Sequence, residues 1–175
     1  MAITRIGGAN AISGTIPSTN APTGSVVQTV SGITTYNFAT TSTSFVDIES
    51  ASGTTWETAI TLSSSSNKVL IVPTIMTYSL KNGHAEFRYA LIMLGKIGSG
   101  SYAQIGDSAT AVRFGGYDYG SSGGIIGQTH CPSFLWSPSS TDELKVKFQI
   151  KGNGGEHEIS RSNYRSVVNL LEIKG

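Results

Sequence analysis

Hydrophobic and polar positions alternate most clearly late in the chain, in Leu144-Lys145-Val146-Lys147-Phe148-Gln149-Ile150-Lys151. Successive side chains on an extended strand point to opposite faces, so Leu144, Val146, Phe148 and Ile150 share one face while three lysines and a glutamine share the other. The pattern predicts a strand with one side in a core and one in water. Thr58-Ala59-Ile60-Thr61-Leu62 alternates in the same way. By contrast, Lys68-Val69-Leu70-Ile71-Val72 is apolar without a break after its first residue, the pattern of a strand covered on both faces. Pro73 follows, and because it has no N–H to give a ladder it predicts an edge, a bulge or a break.

Further strands are expected at Thr34–Phe38 and Ser44–Ile48, which are rich in β-branched and aromatic residues. Glu86–Leu94 is long enough to compete as a helix, but the Lys81-Asn82-Gly83 turn before it and Gly95 and Gly98 after it favour a strand. Short strands are expected at Tyr102–Ile105, Thr110–Phe114, Gly124–Gln128 and Ser133–Trp136. Ile159 and Ser166–Ile173 supply the last ones. About ten short strands with turn signals every 8 to 12 residues describe an all-β fold, an antiparallel β-sandwich with a jelly-roll-like topology. The sandwich is expected over residues 33–175.

Residues 1–32 read differently. Gly7, Gly8, Gly14, Pro17, Pro22, Gly24 and Gly32 oppose helix propagation, and the apolar positions keep neither period for long. The first 46 residues hold a single charged side chain, Arg5. Two readings fit: a disordered tail, or an extended arm that orders when its isoleucines dock into another chain. Low charge favours the arm, since disordered solvating tails usually carry high net charge.

Composition narrows the function. Only 13% of the 175 residues are charged, against roughly 25% in ordinary soluble domains, and the formal net charge is +1. With no basic cluster, nucleic acid is not an expected partner. No run of about 18 apolar residues predicts membrane insertion. The opening residues lack the features of a signal peptide, so synthesis in a cytoplasm is expected. One cysteine excludes an intrachain disulfide and a multi-cysteine zinc site.

Candidate chemistry is sparse, and neither an enzyme nor a cofactor is expected. There is no Gly-x-Ser-x-Gly elbow. Cys131 adjoins His130, but neighbours on an extended chain point apart, so a buried structural thiol is the expectation. His84-Ala85-Glu86 and Glu156-His157-Glu158 each offer too few ligands for zinc and read as polar surface or interface residues. The glycine-rich stretches Gly95–Gly100 and Gly115–Gly124 match no phosphate loop and read as long loops. Tyr117, Asp118 and Tyr119 in the second stretch, with Trp56 and Trp136 near other turns, are candidate contacts for a sugar face or a partner surface.

The N-terminal run Met1-Ala2-Ile3-Thr4-Arg5-Ile6-Gly7-Gly8-Ala9-Asn10-Ala11-Ile12-Ser13-Gly14-Thr15-Ile16-Pro17 resembles the opening of small fibre-like structural proteins of tailed bacteriophages, particularly those of cyanobacterial and marine hosts. Thr43-Ser44-Phe45-Val46-Asp47, Ala59-Ile60-Thr61-Leu62 and Ser66-Asn67-Lys68-Val69-Leu70-Ile71 are similar to motifs of the same group, as are Lys145–Gln149 and Val168–Ile173. Asn169-Leu170-Leu171 departs from the group's more frequent Thr-Leu-Met, and the central Gly/Tyr loop has no counterpart. The resemblance implies a homotrimeric virion component. Its arm, residues 1–31, would hold other virion proteins of the tail, baseplate or capsid through Ile3, Arg5, Ile6, Ile12 and Ile16, and its sandwich would project outward as a tail-fibre knob for host attachment. A capsid decoration or head-fibre protein without receptor binding is the alternative.

Overall fold

The computed structural model describes residues 20–80, 86–105, 117–119, 125–153 and 155–175. Among them all strand pairing is antiparallel, forming two main sheets and one small hairpin, with no α-helix and a short 3-10 turn at Arg161–Asn163. An antiparallel β-sandwich is therefore the fold. The expected arm residues 1–19, including Ile3, Arg5, Ile6, Ile12 and Ile16, lie outside the described residues, as do Thr110–Phe114 and His84-Ala85.

The first sheet is organised around β7 (Lys68–Leu80). One flank of β7 carries β15 (Ser166–Ile173) and β14 (Glu156–Ile159), with β1 (Val26–Thr34) and β2 (Phe38–Thr40) beyond them. The other flank carries β12 (Phe134–Trp136) and β11 (Ile125–His130). The second sheet is organised around β8 (Glu86–Ile97) and β13 (Glu143–Asn153). β9 (Ala103–Gln104) and β10 (Tyr117–Tyr119) border β8; β6 (Glu57–Thr61) and β3 (Val46–Asp47) border β13. β4 (Glu49–Ala51) and β5 (Thr54–Thr55) form the hairpin, closed by Gly53 at φ 72°, a left-handed value that glycine adopts without strain. The chain crosses between sheets from β7 to β8, from β12 to β13 and from β13 to β14, as in a jelly roll.

The alternation in β13 holds residue by residue. Leu144, Val146, Phe148 and Ile150 are at most 1% exposed and pack against Val69, Ile71 and Ile75 of β7, Leu91 and Met93 of β8, and Val168 and Leu170 of β15 in one core. Burial of each such side chain contributes about 1.5–3 kcal/mol.

Two expectations change and a third takes a specific form. The sheet begins before residue 33: β1 starts at Val26 and pairs with β15 along its length, and Gly24 and Ser25 exchange backbone hydrogen bonds with Lys174. A chain too poor in apolar residues to build its own core can still lie on the edge of another. Thr34–Phe38 is not one strand but the junction of β1 and β2, because the Thr34 hydroxyl accepts the Tyr36 N–H at 3.2 Å and turns the chain. Pro73 does not end its strand. Met76 donates its N–H to the Ser166 hydroxyl and accepts the Ser160 N–H at its carbonyl, both on the β14–β15 flank, so by alternation Pro73 faces the other flank, at the gap between β12, paired to Val69–Ile71, and β11, paired to Ile75–Leu80. The partner strand breaks instead.

The two outer faces of the sandwich differ. Over the second sheet, Lys147 Nζ lies 2.7 Å from Asp47, Gln149 donates to the same carboxylate at 2.8 Å, and Lys145 approaches Glu57 and Glu143. The Tyr102 ring covers Lys96 and Lys147 at 5.0 and 4.3 Å. Over the first sheet the middle outward positions of β7 and β15 are Leu70, Val72, Thr74, Val167, Asn169 and Leu171, all half-buried and uncharged, with exposed Lys68 at the end of the β7 row.

Candidate functional site

Where the free edges of β9 and β12 face each other, the two sheets leave a cleft of about 410 Å3. One wall is Gly95, Ala103, Gln104 and Ile105; the other is Phe134, Leu135, Trp136 and Ser137. Both strands are sheet edges, paired on one side only among the described residues, which leaves backbone groups beside the cleft for a ligand. Trp136 belongs to the inward row of β12 and reaches across to Gly95 of β8. A Cβ at Gly95 would lie 2.9 Å from the indole and 2.7 Å from Ile105, so only glycine lets the ring cross there. Leu135, the next residue, is 48% exposed.

Among the described residues that line this cleft there is no carboxylate, histidine, thiol or lysine. The described wall offers two aromatic rings, one amide, one hydroxyl and backbone edges, a set that can hold an uncharged ligand by stacking and hydrogen bonds.

Of the residues singled out as recognition candidates, Trp136 takes a place in this cleft. Trp56 does not: it is 3% exposed, its ring lies 5.5 Å from that of Phe148, and its backbone N–H donates to the Ile48 carbonyl at 2.8 Å, so it is a core residue. Tyr117, Asp118 and Tyr119 form β10, paired with Arg88, Phe87 and Glu86 at an edge of the second sheet, so part of the expected Gly/Tyr loop is strand. Gly95 to Ile97 likewise continues β8 rather than opening a loop. Sequence reading missed Gln104, Ile105 and Phe134; only the i, i+2 spacing of Phe134 and Trp136 marked a shared face.

The polar clusters elsewhere are built to hold the fold. Glu172, with no exposed surface, accepts hydrogen bonds from Asn67 Nδ2 at 2.5 Å, Gln28 Nε2 at 2.6 Å, Ser63 N–H at 2.7 Å and the Ser63 hydroxyl at 2.8 Å. Burial alone would raise its pKa, but these donors outweigh burial and hold the carboxyl below its ordinary value. Asp47 behaves alike: burial is outweighed by Lys147 and Gln149. Between the sheets, Tyr89 bonds Gln128 and His130, each at 2.6 Å, and Thr77 at 2.8 Å. Burial pushes the Tyr89 phenol up to about 12 and the His130 imidazole down, so both stay neutral at pH 7. His157, expected at the surface, is 1% exposed and shares a hydrogen bond with Ser79 at 2.9 Å. Glu158 beside it is buried and pairs with Arg161 at 3.2 Å.

Cys131 also departs from expectation. It follows β11 on the outward side and is exposed, while His130 turns inward, so the two do not pair. A thiol reagent is expected to titrate one thiol per chain in the native protein; a thiol that reacts only after denaturation would contradict this placement.

No group of three His, Cys, Asp or Glu side chains among the described residues could hold a metal ion. No protein-family model and no curated protein matches the sequence.

Proposed function

We propose that this chain is a structural protein of a tailed bacteriophage particle: a short homotrimeric tail fibre, anchored through the residues before β1, whose sandwich is an outward knob that contacts a host surface glycan or protein. The reading rests on one observation: the described walls of the cleft between β9 and β12 carry aromatic rings beside hydrogen-bonding groups and exposed strand edges. Its uncharged aromatic walls suit an uncharged surface ligand. The resemblance at both ends of the sequence supports the virion assignment, and an arm with almost no charge suits burial in a partner protein. Several copies on one particle would turn weak single contacts into firm attachment.

The test is competition. Purified full-length protein, added to host cells before the particle that carries it, is expected to reduce adsorption in a saturable manner. No reduction at saturation would sink host attachment, and density placing the chain on the capsid would favour a decoration role.

A further inference from the structure

The first sheet is apolar on the side that faces away from the core. β7 reads Val69-Leu70-Ile71-Val72 and β15 reads Val167-Val168 and Leu170-Leu171, the composition of strands buried on both faces. The second sheet covers their inward side chains, Val69, Ile71, Val168 and Leu170. Nothing in the described fold covers Leu70, Val72, Val167 and Leu171. The register places them side by side: Leu171 opposite Leu70, and Leu70 opposite Leu135, which is 48% exposed. Farther along β7, Tyr78 stacks on Tyr164, itself 55% exposed, at 6.1 Å.

We infer that this outward face, formed by β1, β15, β7, β12 and their continuation, is the surface through which copies of this chain associate. The inference rests on the homotrimer reading above and names the surface that reading leaves open. Two features point to a second copy as the occupant. The first is charge. Lys96, Lys145, Lys147, Lys151, Glu57 and Asp47 crowd the opposite face of the sandwich, whereas the middle of this one has no charge. An uncharged face is matched by an uncharged face, and the chain itself carries one; its exposed Ser31–Asn169 pair, bonded at 2.6 Å, adds polar groups at its margin. The second is area. At about 3.3 Å per residue and 4.8 Å between strands, the seven strands of this sheet give an outer face of roughly 730 Å2. That is close to one partner's share of a standard specific interface, about 800 Å2.

The test is the mass of the full chain by sedimentation equilibrium, expected at three times its 18.4 kDa at micromolar concentration. Ile33→Glu with Leu135→Glu places charge at two positions 52% and 48% exposed in the single chain, so the fold tolerates it. This double variant is expected to weaken association at least about a hundredfold, by leaving buried charges unpaired, with an unchanged circular dichroism spectrum. Lys151→Glu on the opposite face is expected to change nothing. Association untouched by the double variant overturns the proposal, as does a monomeric wild type. A monomer that aggregates once residues 1–19 are removed overturns it in favour of the chain's own N-terminal segment as the cover. A dimer abolished by the double variant keeps the interface and overturns the homotrimer. A trimer that fails to block adsorption keeps the interface and overturns host attachment.

Discussion

Replacement of Glu172 by Ala is expected to lower the unfolding free energy by about 3–5 kcal/mol, because it strips a shared acceptor from several neutral donors, each costing about 1–3 kcal/mol when left unsatisfied in the interior. The carboxylate accepts four hydrogen bonds from three separate places: β1 through Gln28, the turn before β7 through Ser63, and Asn67 beside the end of the chain. Without it, donors of Asn67, Ser63 and Gln28 lose their shared acceptor, and Asn67 is itself only 4% exposed. The sign of the pH dependence follows from the lowered pKa. The folded state favours the ionised form, so the contribution is complete above the ordinary carboxyl value of 4.5 and fades as pH falls through the lower folded value. The urea midpoint of the wild type should therefore drop as pH falls below the ordinary carboxyl value of 4.5, and less so in Glu172→Gln. A midpoint that stays flat below that value would contradict the assignment.

Trp56→Ala is expected to cost about 3–5 kcal/mol as well, because the ring is 3% exposed and packs on Phe148 at the centre of the sandwich. The measurement is a urea midpoint shifted down with little change in slope. This variant separates two roles that a tryptophan beside a turn can play. A core tryptophan loses stability when truncated; a recognition tryptophan loses binding and leaves the fold intact. A stability loss below about 1 kcal/mol together with lost adsorption would return Trp56 to the surface.

The strands of this fold were legible where a single period governs. In β13 the alternation of apolar and charged residues named the core face correctly at every position from Leu144 to Ile150, because a half-buried strand leaves that imprint. Legibility failed where a strand borrows its partner from far away. Val26–Gly32 carries too little apolar character to announce a strand, and its place comes from the ladder offered by β15, some 140 residues later. Pro73 sits at a local edge, one of the places expected for a residue without an N–H, because the neighbour on that flank is two short strands with a gap. For the candidate site, Trp136 and Trp56 look alike in sequence, each an aromatic near a turn. Which one reaches the cleft depends on how the sheet edges meet. The continuous apolar run at Val69–Val72 was the most informative misfit: it promised cover on both faces, and a single copy of the fold supplies one.

The pairing of β1 with β15 also determines how the domain carries a load. Gly24 and Ser25 bond Lys174, and the ladder then continues to Thr34 opposite Ser166, so tension applied before residue 24 enters the sheet along this ladder. A pull parallel to the strands puts the bonds under shear together, and they must fail nearly at once; a pull across them would open the ladder one bond at a time from Gly24. The same edge strand that hides in the sequence thus makes the connection between the N-terminal segment and the sandwich resist tension in one direction and peel in another.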